Sequence, residues 1–361
     1  MRVLLFLFSI FLCLNCNAHK KHLKIITTIN GKHLPTVGVV VTGGTIVEKT
    51  DASGASVPSS DAGKSLVKAI PQLKKVANIK LVEFSNIDSS HMSPQIWANL
   101  SRTVDQLIDE HPELKGVIVV HGTDTMAEGA YFLDITLKTR KPVVFIGAMK
   151  NSSDPFTDGP ENFLNGVFQI CSNKSKNWGV TVTMNQYINS ARDVKKTQTT
   201  NVQTFDSGEK GYLGYIYNGK INQFNERVHG KRFKLKKKLA KVSLFTDYAG
   251  ANGSFIKLAA DKGYDGIVVE ALGSGNVNAA VAESIKYAIS KGIVVVISTR
   301  VYQGAVYPAY GDKGGGRDLK NMGAIVTGDL RGPKARLLLM VTIPIHGKHS
   351  KKLESFFANT N

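Results

Sequence analysis

The chain has 361 residues, too many for one ordinary domain and too few for three, so its length favours two domains. Hydrophobic residues make up 42% of the sequence, which excludes an intrinsically disordered chain. The formal net charge of +18 is high, but no nucleic-acid-binding module is recognisable. We therefore expect solvated basic segments and no nucleic-acid partner, with attraction to acidic polymers or an anionic membrane surface as the alternative.

Residues 1–18 have the pattern of an export signal peptide. Arg2 supplies the positive charge, residues 3–14 form an apolar run, and a small-residue cleavage site ends at Ala18. A short buried helix is the alternative, but the switch to polar residues at His19 makes it the weaker one. The pattern predicts a periplasmic or secreted protein. No later stretch reaches the ~20 apolar residues of a membrane span, so we expect no stable membrane insertion.

The predicted cleavage decides which cysteines the mature chain keeps. Cys13 and Cys16 would leave with the signal peptide, so that Cys171 remains and no intrachain disulfide can form. Lipidation of Cys16 is an alternative, but Asn15 before it fits that signal poorly. The mature fold must then be held by its apolar core even in an oxidising compartment.

From residue 37 onward, short β-branched runs alternate with longer amphipathic stretches, which is typical of a parallel sheet covered by helices. We predict strands at 38–41, 116–120 and 143–146. After the second strand, apolar residues recur at spacings of four, three and four, which predicts a helix that Pro142 ends. These residues are Met126, Ala130, Leu133 and Leu137. All three strands end in small or polar residues, so the active site is expected at that edge of the sheet.

A polar, basic segment interrupts this pattern before a second α/β set begins. We predict strands at 242–245, 266–272 and 293–297 and a helix at 279–290. The predicted fold class is α/β with two domains, a larger N-terminal one with a mostly parallel sheet flanked by helices and a smaller C-terminal one with a parallel sheet. The predicted boundaries are 36–224 for the N-terminal catalytic domain, 225–241 for the basic linker and 242–361 for the C-terminal domain.

Nucleotide and metal sites are not supported by the sequence. Residues 273–276 (GSGN) begin like a dinucleotide fingerprint, but Asn278 stands where the third glycine is needed. The Gly43–Gly44 turn is followed by no Walker A lysine, and the histidines are scattered without an HExxH motif or paired cysteines. We predict no cofactor and no metal.

Three segments carry groups suited to catalysis. Residues 42–46 (TGGTI) bring a hydroxyl and backbone N–H groups to the end of a strand, although an ordinary turn is the alternative. Residues 121–125 (HGTDT) add a second hydroxyl and a carboxylate, which also suit a helix N-cap. Residues 192–197 (RDVKKT) contain lysines that alone would be surface residues. A threonine hydroxyl is inert near neutral pH unless a base takes its proton, and a desolvated lysine beside an aspartate is such a base.

Together these segments resemble the bacterial type II L-asparaginases, within the wider asparaginase and glutaminase group. The resemblance runs from about Pro35 to Phe356 and includes VVHGTDTMAEGAYFLDITL, DGPENFLN, RDVKKTQTTNVQTF, GYDGIVVEALGSGN and GPKARLLLM in order. It implies hydrolysis of L-asparagine, a small-molecule substrate, to L-aspartate and ammonia, with weak glutaminase activity as an addition. The amidase subunit of a tRNA-dependent amidotransferase shares these motifs, but the export signal opposes it.

The resemblance implies roles for particular residues. Thr45 matches the nucleophile that forms an acyl-enzyme, and Thr123, Asp124 and Lys196 match a set that relays protons. Asp124 also matches the residue that holds the substrate ammonium.

The substrate-binding positions are likewise implied by the resemblance. Ser89 matches the residue that binds the substrate carboxylate, the backbone at Ala148 matches the position that receives the amide, and Ser90 and Gly122 complete the subunit's own set. The resemblance also implies a homotetramer built from close dimers, because Asn276 matches a residue that the neighbouring subunit contributes.

Two departures from the family pattern affect the expected turnover. The family's loop after the TGGT turn carries a tyrosine, yet residues 46–65 contain none and the aligned position is about Ser56. Ser90 stands where Gln or Glu is usual, and only Asp312 lies close to the position of an acidic residue that reaches across from the second domain. The alternative function is therefore a secreted amino-acid-binding protein on a catalytically weakened asparaginase scaffold.

Overall fold

The computed structural model describes residues 22–28, 31, 33–58, 62–227, 230–348 and 351–358, so the predicted signal peptide at 1–18 lies outside the described residues. The strands are β1 (Ile26–Thr28), β2 (Thr36–Val41), β3 (Glu48–Thr50), β4 (Ser56–Pro58), β5 (Asn78–Glu83), β6 (Leu114–Val120), β7 (Val143–Ile146), β8 (Val180–Met184), β9 (Tyr187–Ser190), β10 (Lys195–Lys196), β11 (Phe205–Asp206), β12 (Gly214–Tyr217), β13 (Lys220–Gln223), β14 (Val242–Thr246), β15 (Gly266–Ala271), β16 (Val294–Thr299) and β17 (Ile325–Val326). The helices are α1 (Ala62–Lys68), α2 (Pro94–Glu110), α3 (Met126–Thr136), α4 (Gly159–Cys171), α5 (Ser254–Asp261), α6 (Ala279–Ser290), α7 (Gly316–Asn321), α8 (Gly332–His346) and α9 (Lys351–Ala358).

The N-terminal part forms a nine-stranded sheet in the order β1-β5-β2-β6-β7-β8-β9-β12-β13. Its centre, from β5 to β8, is parallel, and antiparallel strands extend it on both sides. The three predicted strands are β2, β6 and β7, which lie side by side and parallel. Their continuous β-branched runs are buried on both faces, the pattern expected for central parallel strands.

The C-terminal part forms a separate four-stranded parallel sheet in the order β14-β15-β16-β17. The predicted strands and helix of this part are confirmed within two residues at each end. The two-domain α/β fold class predicted from the sequence is therefore confirmed.

Helix α8 joins the two sheets into one core. It lies against β14, β15 and β16 on one side and against α3 on the other. Its side chains Leu337, Leu338 and Leu339 are all buried and share one apolar cluster with Phe132 of α3. Because this interface is apolar on both sides, the C-terminal part is held firmly against the N-terminal sheet.

The basic segment between the sheets is anchored at several points rather than fully solvated. Among its described residues no strand or helix forms, and several of its lysines are exposed as expected. However, Arg227 forms a buried ion pair with Asp134 of α3, and its guanidinium also donates to the Trp178 carbonyl. Phe233 is buried, and its N–H donates to the Ile135 carbonyl at 2.7 Å. The expectation of a solvated linker was therefore wrong for these residues, because each finds a buried partner on α3 or just before β8.

Two further observations concern the described part of the chain. No helix there is long and apolar enough to cross a membrane. No group of three or more His, Cys, Asp or Glu side chains among the same residues is arranged to hold a metal ion.

Cys171, the cysteine at the end of α4, is free, and burial raises the pKa of its thiol to about 11, which makes it a poor nucleophile.

Candidate active site

The turn after β2 fits only glycine. Gly43 has φ +115° and Gly44 has φ +90° with ψ 173°, a region that side chains rarely adopt. A Cβ on Gly44 would lie 2.3 Å from the Gly122 Cα atom. The turn is thus pressed against the end of β6. Thr45, half-buried, begins a short 3-10 helix directly after this contact.

The end of β6 is held by a buried histidine. The Trp97 indole N–H donates to His121 Nε2 at 3.2 Å, and His121 Nδ1 lies 2.7 Å from the Gly122 carbonyl. Nε2 is thus an acceptor, and Nδ1 carries the proton that it donates to Gly122. Burial lowers the pKa of His121 to about 4. We conclude that this imidazole is neutral and structural, because both ring nitrogens are engaged.

Ser89 connects a third segment to the same place. Its hydroxyl accepts from the Asp124 N–H at 3.1 Å, and its carbonyl accepts from the Thr125 hydroxyl at 2.8 Å. A Cβ on Gly122 would lie 2.7 Å from Ser89 Oγ, so glycine at 122 makes room for this serine. Ser89 is 2% exposed. Ser90 beside it is exposed.

The lysine predicted as a base lies at the same edge. Lys196 Nζ donates to Thr123 Oγ1 at 2.9 Å and to Asp124 Oδ1 at 2.7 Å. The side chain of Lys196 is 19% exposed and that of Asp124 is 58% exposed, whereas Thr123 is buried. Because Thr123 Oγ1 accepts from the lysine, its own proton is free to turn toward a neighbouring water or hydroxyl. The arrangement can therefore pass protons between a lysine and a hydroxyl at the surface of the site.

Ala148 follows β7, the next strand of the sheet, and is 1% exposed. The Asp158 carboxylate accepts from the Met149 N–H at 3.1 Å, and Asn162 Nδ2 donates to the Gly147 carbonyl at 3.0 Å. These contacts come from the start of α4 and fix the backbone on both sides of Ala148.

Asn276 is not part of this group within the subunit. It lies in the turn after β15, where its N–H donates to the Leu272 carbonyl and its side-chain oxygen accepts from the Gly316 N–H at 3.0 Å. The structure thus brings the segments of Thr45, Ser89, Thr123, Asp124 and Lys196 together and leaves Asn276 in the C-terminal domain. Asp312, also in that domain, is exposed.

The segment after Thr45 forms a hairpin of β3 and β4. Its turn is closed by the Asp51 carboxylate, which accepts from the Ser53 N–H at 2.8 Å and the Ala55 N–H at 3.0 Å. The Ser56 side chain lies outside the described part of the structure, so the prediction that this loop closes over substrate stays a prediction.

The sequence interpretation missed a cavity behind Lys196. It measures about 380 Å³ and lies between the N-terminal sheet and the C-terminal domain. Arg192 lines this cavity and forms ion pairs with Asp193 at 2.6 Å and with Asp329 of the C-terminal domain. Lys210 also pairs with Asp329, at 3.0 Å. No local pattern marks these partners, because Arg192 and Asp329 are 137 residues apart in the chain.

Comparison with known proteins agrees with the fold and identifies the family. The model of the family "Asparaginase, N-terminal" matches residues 36–229, and that of the "Glutaminase/Asparaginase C-terminal domain" matches residues 241–357. The fold and the site define an amidohydrolase, and the chain belongs to the asparaginase family.

Individual relatives cover most of the chain. It is 38% identical to L-asparaginase 2 of Escherichia coli over 86% of this chain and 89% of that protein. It is 36% identical to a probable periplasmic L-asparaginase of Haemophilus influenzae over 92% of this chain and 95% of that protein. The crystal structure of a probable cytoplasmic L-asparaginase from Campylobacter jejuni is similar with a TM-score of 0.80 and 36% identity, covering 90% of this chain and 99% of that chain.

Proposed function

We propose that this protein hydrolyses the side-chain amide of L-asparagine to L-aspartate and ammonia. The observation that carries the proposal is the contact of Lys196 Nζ with both Thr123 Oγ1 and Asp124 Oδ1, at the sheet edge where the turn before Thr45 meets Gly122. The names of the Escherichia coli and Haemophilus influenzae relatives support asparagine as the substrate.

In the proposed reaction the Thr45 hydroxyl attacks the amide carbon. A C–O bond forms, the C–N bond breaks, and the nitrogen leaves as ammonia after it has taken up a proton. Water then cleaves the acyl-threonine to release aspartate. Thr123, Asp124 and Lys196 relay the protons of both steps, which suits a hydroxyl that accepts from a lysine while its own proton is free.

The surrounding groups suit the two ends of an amino acid. Asp124 is exposed enough to receive the substrate ammonium beside Lys196. Ser89 Oγ accepts from the Asp124 N–H, so its own proton is available for the substrate carboxylate. Gly122 and Ala148 offer backbone groups at the ends of two neighbouring strands, and Ser90 borders the site.

The test is ammonia release from L-asparagine by the purified mature chain. We expect turnover of asparagine with a higher kcat/KM than that of glutamine. Ser90 is shorter than the usual Gln or Glu, so the site makes one charge-assisted hydrogen bond fewer to the substrate, a loss of roughly 1.5–3 kcal/mol. We therefore expect KM for asparagine to be about tenfold or more higher than in family members that carry Gln or Glu there. Binding of asparagine without ammonia release would favour the amino-acid-binding protein instead, and equal kcat/KM for both amides would refute the preference.

We further propose a homotetramer built from close dimers, with Asn276 completing the site of the neighbouring subunit. The placement of Asn276 in the C-terminal domain supports this, because its hydrogen bonds hold it to Leu272 and Gly316 rather than to its own catalytic segments.

Mixed oligomers give a direct check of shared sites. We expect Lys196→Ala and Asn276→Ala to be nearly inactive alone, but co-refolded equal amounts to regain activity in about a quarter of the sites, since one site of each mixed dimer is intact. A mixture of Lys196→Ala with Thr45→Ala is the control, because both changes lie in the same half of a site. A fully active monomer in light scattering, or no recovery in the first mixture, would contradict the proposal.

We also propose export to the periplasm or beyond the cell, with cleavage after Ala18. The signal-like residues 1–18 and the printed name of the Haemophilus influenzae relative support it. N-terminal sequencing of the protein from the periplasm or medium checks it, and a retained residue 1–18 segment would refute it.

A further inference from the structure

Lys334 is a buried lysine in the first turn of α8. It is 6% exposed, and its Nζ donates to the Arg192 carbonyl at 2.8 Å and to the Val194 carbonyl at 2.6 Å. The donor belongs to the C-terminal domain and both acceptors belong to the N-terminal domain. The two carbonyls lie in the segment that leads directly into β10, whose second residue is Lys196.

A lysine at this position is costly. Burying an ammonium group is unfavourable unless a carboxylate or several hydrogen bonds compensate, and both partners of Lys334 Nζ are neutral carbonyls. Burial lowers the pKa of Lys334 to about 7, and the charge of Asp193 only partly opposes this. A leucine or methionine would fill the same space at less cost. The position therefore indicates a requirement for the two donated hydrogen bonds, which a neutral amine also supplies.

A second contact holds the side chain of the same segment. Arg192 donates to Asp329, which lies in the turn before α8 and also pairs with Lys210. The side chains of Arg192 and Asp329 are 15% and 13% exposed, so their ion pair is only weakly screened. The backbone and the side chain of the segment are thus both fixed from the C-terminal domain.

The position of Lys196 depends on these contacts. It follows Val194 by two residues, and its Nζ must lie within hydrogen-bond distance of Thr123 Oγ1 and Asp124 Oδ1 at once. Val194 is tied to its own domain through the Ser190 carbonyl at 3.0 Å. Lys334 binds the carbonyl of Val194, so the residue is held from both domains.

We infer that Lys334 and Asp329 are positioning residues for the proposed catalytic Lys196. They fix residues 192–194 from the C-terminal domain, so that the Lys196 ammonium reaches Thr123 and Asp124. The inference rests on the proposed function, in which Lys196 takes part in proton transfer. Neither residue contacts the reacting atoms, and both act through the segment that carries Lys196.

Two substitutions at 334 separate the hydrogen bonds from the charge. Lys334→Met keeps the approximate length and removes both donors, whereas Lys334→Gln keeps two N–H donors on a neutral group. We expect kcat of Lys334→Met to fall about 10- to 100-fold, because a displacement near 1 Å costs up to about 100-fold, with KM for asparagine within about threefold of wild type. Lys334→Gln is expected to recover at least about half of this loss in kcat on a logarithmic scale. If Lys334→Met is about 100-fold slower than wild type, Lys334→Gln should be at most about tenfold slower.

Leu337→Ala is the matched control on the same helix. It removes a fully buried side chain and is expected to lower the urea concentration at the midpoint of unfolding. Its kcat per folded molecule is expected to stay within about threefold of wild type, since the Leu337 side chain donates no hydrogen bond to residues 192–194. A loss of kcat in Leu337→Ala as large as in Lys334→Met would show that general destabilisation is responsible, and it would overturn the inference.

Asp329→Asn decides the matter if Lys334→Met does not fold. It keeps the shape of Asp329 and removes the charge that holds Arg192, so we expect a fall in kcat of about three- to tenfold with KM unchanged. If Lys196→Ala is inactive but Asp329→Asn, or a folded Lys334→Met, keeps the wild-type kcat, the inference is overturned. If Lys196→Ala itself keeps wild-type activity, the proposed role of Lys196 is wrong and the positioning inference falls with it.

Discussion

Replacing Thr45 or Lys196 by alanine is expected to lower kcat for asparagine by about a thousandfold or more. Thr45→Ala removes the oxygen that attacks in the proposed reaction, and Lys196→Ala removes the group that donates to both Thr123 and Asp124. The proposed nucleophile and the relay that serves it act as one unit, so the double mutant should be no slower than the slower single mutant.

The measurement is ammonia release by purified variants, with circular dichroism to confirm that each is folded. Lys195→Ala is the matched control for Lys196→Ala, because the neighbouring lysine of β10 places its Nζ 4.8 Å from the ring centre of Tyr302. Its kcat should stay within about threefold of wild type. Thr50→Ala, an exposed threonine of β3, serves the same purpose for Thr45→Ala. Near wild-type ammonia release in either active-site variant would refute the assignment.

Gly44→Ala is expected to have the second large effect. At φ +90° and ψ 173° a side chain adds about 1–3 kcal/mol of backbone strain. The new Cβ would also lie 2.3 Å from the Gly122 Cα, so the two backbones must separate. We expect a loss of more than about 3 kcal/mol in the free energy of unfolding, since the clash adds to the strain. The same separation moves Thr45 away from Thr123 and should lower kcat of the folded molecules about 100-fold.

Gly250→Ala in the C-terminal domain is the control for backbone strain alone. Gly250 has φ +83°, but a Cβ there would meet nothing within 4 Å. It should cost only about 1–2 kcal/mol and leave kcat within about threefold of wild type. Urea unfolding and ammonia release measure both quantities for the two variants. A Gly44→Ala protein as active as wild type would show that the close contact of the two turns is not needed.

The candidate site was predicted from the sequence as far as its segments are marked by local patterns. Gly43 and Gly44 predict the turn before Thr45. The predicted strands that end at 41 and 120 are neighbours in the sheet. Parallel strands bring their carboxyl ends to one edge, so the sequence predicts that Thr45 and Thr123 lie near each other. The role of His121 was not apparent, because a histidine in HGTDT gives no sign that Trp97 and Gly122 engage both of its ring nitrogens.

The two α/β units can be predicted from the chain alone, because β-branched runs, helical periodicity and glycine turns act over a few residues. The sequence also determines which residue types are available for the chemistry. Three features become visible only in the folded protein: α8 packs between α3 and the C-terminal sheet, Arg227 is buried against Asp134, and Lys334 holds the segment before Lys196. They could not be predicted, because a hydrogen bond or ion pair between residues about a hundred positions apart leaves no periodicity in the chain. Its partners meet only after the hydrophobic core has set the distance between the two domains.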